Sequence, residues 1–409
     1  MNGVHVMKVL QVNCVYKKGS TGKITYDLHR GLQAKGIESV VCYGRGELLK
    51  EPGIYKTCPE WYSKLNNAWS RITGIMYDGC FFSTNRLISI IKKEQPDIVH
   101  LQCINGYFVN IYRLVNWLKK HHQKTVLTLH AEFMYTGGCG HSIDCNQWST
   151  RTGCGHSTHC PRWRAETKSL FFDRTAIMWS RMKDAFDGFD ELIVTSVSPW
   201  LMERAKQSPI LADREHCVVL NGLDTEIFHL YDTAELREKM GLTGKKVVFH
   251  ATPAFSTSPD HIKGGHFIIE LARRMPEVTF LVAGPVVGEI SAPANLVLLG
   301  RVNDQKLLAQ YYSMADVTVL TSKRETFSMV TAESLCCGTP VVGFKAGGPE
   351  TIALEKMGSF LAYGDLDGMM RAIQDVLGCS VEYENNAPKV YSKQQMVNSF
   401  IECYKKLER

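Results

Sequence analysis

The stretch from Thr321 to Pro340 constrains this chain more than any other. Val317-Thr-Val-Leu320 before it is a short, apolar, β-branched run that reads as a buried strand. Thr321-Ser-Lys-Arg-Glu325 and its neighbours form a polar loop, and a helix is expected from near Phe327. Gly338-Thr339-Pro340 stops that helix, and Val341-Val-Gly-Phe344 reads as the next strand. Two acids punctuate the stretch. Glu325 falls in the loop after the strand, and Glu333, with seven residues between them, falls inside the helix.

Open parallel sheets bind ligands beyond the carboxyl ends of their strands. A helix that starts there presents free backbone N–H groups and a positive dipole end, which suits a phosphate. Carboxylates beside it would accept hydrogen bonds from sugar hydroxyls, so phosphate and acids together suggest a nucleotide sugar.

Glu325-x7-Glu333, then Gly338-x-Pro340-Val-Val, then Gly347-Gly-Pro-Glu350, resembles the donor-site signature of the retaining glycosyltransferases of family 4. That resemblance implies an α/β protein of the GT-B fold, with two Rossmann-like domains facing across a cleft. Asn221-Gly-Leu-Asp224, with Phe228 beyond it, resembles the family's hinge. The expected domains are 1–224 on the acceptor side, 225–385 carrying the donor site, and a terminal helix within 386–409 that returns to the first domain.

The resemblance also assigns roles. Glu325 would accept hydrogen bonds from the donor sugar, and Glu333 would hold the ribose. Backbone N–H groups around Phe327, Ser328 and Met329 would face sugar and phosphate, although the family commonly has glycine where Ser328 stands. Lys263-Gly264 matches the family's Lys-Gly, whose lysine balances the leaving diphosphate. His130, at the end of the strand Thr125-Val-Leu-Thr-Leu129, matches a histidine near the donor sugar. The arginine usual after the preceding strand is missing: Ala251-Thr-Pro-Ala-Phe255 stands there, and either a residue such as Lys323, Arg324 or Arg301 replaces it or the diphosphate is held less tightly.

Gly19-Ser-Thr-Gly22-Lys23 invites a phosphate-loop reading, which fails because Lys17 stands where a glycine is required and Ile24 where Ser or Thr is required. A loop before a helix start is expected there, and the resemblance implies that it contacts the donor phosphate or the acceptor, with Gly22 assigned to the donor. Asp365-Leu-Asp367 follows the last strand and reads as a helix cap rather than a metal site. No cofactor or metal is required if Lys263 and the helix start neutralise a UDP- or GDP-sugar.

Cys139, Cys145, Cys154 and Cys160, within 136–161, are spaced by gaps of five, eight and five residues, wider than usual zinc knuckles. They could form a structural zinc site, two close pairs, or four unrelated thiols. The insertion is similar to one in bacterial transferases that build colanic acid and O-antigen chains, which implies a lipid-linked oligosaccharide acceptor. Lys119-Lys-His-His122, closing a helix expected over 107–122, offers either a capped helix end or a basic face for anionic lipid at the inner leaflet.

The 409 residues fit two domains, and a net charge of +6 is too mild to argue for nucleic acid. Fourteen cysteines, mostly single within strands and helices, and an opening with no apolar leader lead to an expectation of a reduced, cytoplasmic protein, peripheral on the inner membrane. Between 47 and 95 the pattern is irregular, with apolar residues recurring at Trp61, Trp69, Ile75, Met76, Phe81 and Phe82 and a helix expected over 86–94. A long helix is expected over 163–186. The departures at Ser328 and after Ala251 allow a second function, a sugar-nucleotide-binding scaffold without catalysis, and a GT-B-fold sugar-nucleotide epimerase is a third.

Overall fold

A computed structural model describes residues 6–378 and 385–408. Residues 1–5, which open the stretch read for a leader, lie outside it, as do 379–384 and 409. The chain divides into two compact units: one running to Leu220 and resuming at Met396, the other covering Asn221–Gln395.

The first unit holds seven strands: β1 Lys8–Asn13, β2 Glu38–Tyr43, β3 Ile54–Lys56, β4 Ile98–Leu101, β5 Thr125–Leu129, β6 Leu192–Ser196 and β7 Glu215–Val218. They pair in the order β3-β2-β1-β4-β5-β6-β7, all parallel. β4, β5 and β6 are buried along their whole length, as strands covered by helices on both faces must be. The second unit holds β8 Val247–Ala251, β9 Phe255–Ser256, β10 Thr279–Ala283, β11 Val286–Val287, β12 Leu296–Gly300, β13 Val317–Leu320, β14 Val341–Phe344 and β15 Gly358–Leu361. Six of these form a parallel sheet in the order β12-β10-β8-β13-β14-β15, and β9 pairs with β11 apart from it. Its core sets Val248, Phe280, Val317 and Val342 from the strands against Ile268, Leu271, Met369 and Ile373 from the helices.

The last helix, Lys393–Glu408, begins in the second unit and packs in the first. Its Val397, Phe400 and Tyr404 share a core with Val9, Leu28, Leu32 and Val126. A Cβ on Gly31 would lie 2.4 Å from Val397 Cγ2, so the helix Gly19–Ala34 and the last helix approach too closely there for any side chain. His100 Nδ1 lies 2.8 Å from the Tyr404 hydroxyl. The expected hinge segment pairs with the chain entering that helix: Leu223 N donates to Tyr391 O at 2.7 Å, and Lys393 N to Leu223 O at 2.9 Å.

Several local expectations change. The helix expected over 163–186 is two, Trp163–Thr167 and Thr175–Phe186. Lys168 turns with φ +56°, and Asp173 accepts from Thr175 N at 3.0 Å and from Cys160 N at 2.9 Å, restarting the helix and tying it to the cysteine segment. The irregular region holds two helices, Glu60–Thr73 and Phe81–Glu94. The helix expected over 107–122 is shorter, Ile111–Lys120, capped by Asn110. The loop expected around Gly22 is already helix from Gly19, and a Cβ at Gly22 would meet Val15 Cγ2 at 3.1 Å.

Candidate functional site

In the second sheet β8 and β13 are neighbours, while β10 and β12 lie beyond β8 and β14 and β15 beyond β13. Chain direction across the sheet reverses between them, and the crevice beyond their carboxyl ends is the favoured ligand position in such a sheet. Three segments distant in sequence meet there.

The loop after β13 is one. Glu325 N donates to Ala346 O at 2.9 Å, and Gly348 N donates to Glu325 O at 2.8 Å. These two hydrogen bonds explain the glycine pair. Gly347 has φ +115°, and a Cβ on Gly348 would lie 2.5 Å from Thr326 C and O. Glu350 closes the turn by accepting from Ala346 N at 3.0 Å and Gly347 N at 2.9 Å. Burial raises the Glu350 carboxyl above its ordinary value, opposed by these backbone bonds and by the charge of Arg324.

The segment before the helix Gly265–Arg274 is the second. Thr321 Oγ1 donates to Lys263 O at 2.8 Å, and Lys323 N to Ile262 O at 2.8 Å. Gly264 has φ +63°, and a Cβ there would sit 2.3 Å from Thr321 O, so only glycine lets the lysine dock this closely on β13. The Lys263 ammonium consequently lies 2.5 Å from Glu325 Oε1, with the two side chains 24% and 18% exposed.

The third is the helix Met329–Cys336, which starts two residues later than expected and leaves Glu333 little more than one turn from its start. Ser328 caps it, with Oγ accepting from Thr331 N at 3.2 Å, and its φ of +78° is a conformation that favours glycine. Phe327 is buried. Met329, Val330 and Glu333 line a cavity of about 470 Å³ together with Ala251–Pro253, Ala283–Pro285 and Arg301. Tyr312, buried in the same lining, donates to Glu333 Oε2 at 3.0 Å and fixes that carboxylate.

Of the three candidate replacements for the missing arginine, Arg301 lines this cavity. Lys323 Nζ lies 5.7 Å over the Tyr363 ring, and Arg324 acts on Glu350. The sequence offered Arg301 only as one of three candidates, and nothing in its spacing marked Tyr312; the fold brings both to the cavity of Glu333.

In the first unit, His130 directly follows β5 and lines a small hollow with Gln102, Asn105, Thr128 and Met134. Burial depresses its imidazole to about 4, so it is neutral near pH 7. The helix that carries Gly22 borders the same region, through Thr25 Oγ1 to Gln102 Oε1 at 3.2 Å.

The cysteines of 136–161 come together only in part. Among the described residues no three His, Cys, Asp or Glu side chains could together hold a metal ion. Cys139 and Cys160 are hydrogen-bonded to each other, and Cys154 Sγ accepts from Gly137 N at 3.2 Å. Asp365 caps a helix, accepting from Gly368 N at 2.9 Å, and Asp367 pairs with Arg274 at 2.8 Å. The basic helix end is engaged within the protein: Lys119 Nζ donates to Asp184 O at 2.9 Å and Asp187 O at 2.7 Å, and His122 lies 2.6 Å from Glu191.

Two family models match the chain. A family model described as Glycosyltransferase Family 4 matches residues 21–227, and one described as glycosyl transferases group 1 matches residues 256–378. A protein of Escherichia coli (strain K12), named as a colanic acid biosynthesis glycosyl transferase, WcaC, is 23% identical over 98% of this chain and 100% of its own length. Among solved structures, sucrose-phosphate synthase from Thermosynechococcus elongatus superimposes with a TM-score of 0.66 at 16% identity, covering 98% of this chain and 99% of its own. HepE of Anabaena, solved in complex with UDP, gives 0.65 at 16% identity, covering 98% and 100%. At such identities the structural matches speak to the fold.

Proposed function

The chain belongs to glycosyltransferase family 4 and has the GT-B fold, and from that premise we propose that it is a retaining transferase moving a sugar from a nucleotide diphosphate sugar to a lipid-linked oligosaccharide of a bacterial surface polysaccharide. The observation that carries this reading is the Lys263–Glu325 pair at the reversal point of the second sheet, next to the cavity walled by Glu333.

In this reading Glu333, held by Tyr312, takes the ribose hydroxyls, and the cavity takes the base. Arg301 stands in the same cavity and supplies positive charge there. Glu325 accepts hydrogen bonds from the sugar. Lys263 stabilises the diphosphate as the anomeric bond breaks, where leaving-group charge is the main demand. Reaction occurs on the front face: the departing phosphate oxygen takes the acceptor's proton, so no separate base is needed. His130, neutral and buried, serves as a hydrogen-bonding group near the sugar rather than as a base. The similarity to WcaC, and to HepE solved with UDP, supports the donor and acceptor classes. The acceptor's lipid would place the working enzyme at the inner face of a membrane. Among the described residues no helix is long and apolar enough to cross one.

Calorimetry with UDP and with GDP, using Glu333→Ala as the control, tests the donor site. Binding of one nucleotide, lost in the variant, is expected; binding of neither overturns the reading. Product formation that depends on a lipid-linked acceptor separates transfer from a non-catalytic scaffold, and turnover of the nucleotide sugar alone would mark an isomerase.

A further inference from the structure

The helix Glu60–Thr73 is turned the wrong way round for a helix on a soluble unit. Its buried residues are Tyr62, Ser63, Asn66 and Ser70. Trp61, Leu65, Trp69 and Ile72, spaced by four, four and three and so forming one stripe, face outward with exposures of 49–68%. Hydrogen bonds fix this orientation. Asn66 Oδ1 accepts from Cys80 N at 2.7 Å, its Nδ2 donates to Tyr62 O at 2.8 Å, and Ser63 Oγ donates to Gly106 O at 3.0 Å. Rotating the stripe inward would break the bonds to Cys80 and Gly106, which lie outside the helix, and bury unpaired polar groups.

The stripe is one part of a larger apolar surface. Phe81 and Phe82, 54% and 77% exposed, open the next helix, and the Phe82 ring lies 5.8 Å from that of Tyr62. The loop that interrupts the second pair of helices adds Leu170, Phe171 and Phe172, and it is joined to the stripe's helix by Leu170 N donating to Arg71 O at 2.8 Å. Contiguous exposure of this kind marks an interaction surface.

Charge identifies the partner. In residues 60–86 and 162–174 the exposed cations are Lys64, Arg71, Arg86, Arg164, Lys168 and Arg174. Each acid of these segments is already engaged: Glu60 by Arg45, Asp78 by Arg181, Glu166 by Arg162, and Asp173 by Cys160 N and Thr175. The surface therefore offers tryptophan, phenylalanine and leucine inside a rim of positive charge, the composition that seats a protein in the headgroup region of an anionic bilayer. We propose that the face formed by the helix Glu60–Thr73, the start of the helix Phe81–Glu94 and the loop 168–174 docks this chain on anionic lipid. This rests on the membrane-side acceptor proposed above and moves the contact away from Lys119 and His122, which are engaged within the protein.

Flotation with vesicles tests it, since the vesicles carry no acceptor and the result does not depend on turnover. The wild type is expected to float with phosphatidylcholine–phosphatidylglycerol vesicles and weakly with phosphatidylcholine alone. Trp61→Ser/Trp69→Ser should lower the partition at least about tenfold, and Arg71→Glu/Lys168→Glu should remove the preference for the anionic vesicles. The circular dichroism spectrum and Tm should be unchanged in both, which shows that the first unit is folded and keeps this result separate from the fate of the donor site in the second. Failure of the wild type to float, or equal flotation of the wild type and the tryptophan variant, overturns the proposal. So does a dimer in light scattering that the tryptophan variant abolishes while no vesicles are bound, which would make the face a self-association surface.

Discussion

Glu325→Gln perturbs the centre of the proposed site with the least change of shape. The amide keeps an oxygen where Oε1 lies 2.5 Å from Lys263 Nζ, but removes the charge. Both side chains are roughly one-fifth exposed, so solvent already screens the pair, and exchanging a charged for a neutral acceptor costs the fold about 1 kcal/mol. In a unit of this size that lowers Tm by about 2–4 °C. The catalytic loss is larger, because a carboxylate that binds sugar hydroxyls makes charge-assisted bonds, and losing them slows transfer at least about tenfold. UDP carries no sugar at that position, and it competes with Glu325 for the Lys263 ammonium. Its affinity should therefore stay the same or tighten, by no more than about fivefold for 1 kcal/mol. A transfer assay beside calorimetry with UDP reads both numbers. Wild-type turnover by the variant would refute the assignment of Glu325. Weaker UDP binding would refute the competition, and would mean that the carboxylate's task is to hold the lysine in place.

Gly264→Ala should destabilise the second unit by about 1–3 kcal/mol in thermal denaturation, because its Cβ would sit 2.3 Å from Thr321 O at a φ of +63°. Ser328→Ala should cost about 1 kcal/mol by removing the helix cap while keeping the unfavourable φ of +78°, and Ser328→Gly should cost less because glycine relieves that φ. Burial holds His29, His130 and His250 down to about 4 and His100 to about 3. These folded values lie below that of an unfolded histidine, about 6.5, so the unfolded chain takes up protons first as the pH falls. The stability tied to these neutral rings is complete above about 6.5 and is lost from there down through about 4, and for His100 through about 3. Tm measured across that range should fall, and His100→Gln should flatten the slope.

Much of the site was legible because its elements are local. The strand Val317–Leu320, the loop acid Glu325, the stop at Gly338 and the glycine pair before Glu350 are each a short-range rule, and each occupies the expected element. The start of the central helix was less legible. Ser328 adopts a glycine-like φ and caps the helix, which moves its beginning to Met329. The helix expected over 163–186 failed for a long-range reason, since Asp173 ends the break by bonding to Cys160 in another segment. The cysteine spacing left three arrangements open, and the fold brings Cys139 and Cys160 together without a metal-holding cluster among the described residues.

Local pattern was enough for the strands Thr125–Leu129, Val317–Leu320 and Val341–Phe344 and for the residue types at the end of β13, because periodicity and turn chemistry act over a few residues, while the short strands β3, β9 and β11 carry no such pattern. Tertiary structure decided which of those residues meet. Lys263 and Glu325 are 62 positions apart and become an ion pair only because Gly264 lets one backbone touch another. Arg301 and Tyr312 reach Glu333 through strand order. The helix Glu60–Thr73 shows the difference most plainly. Its spacing defines an apolar stripe but not which way the stripe faces, and the bonds of Asn66 and Ser63 to segments beyond the helix turn it outward.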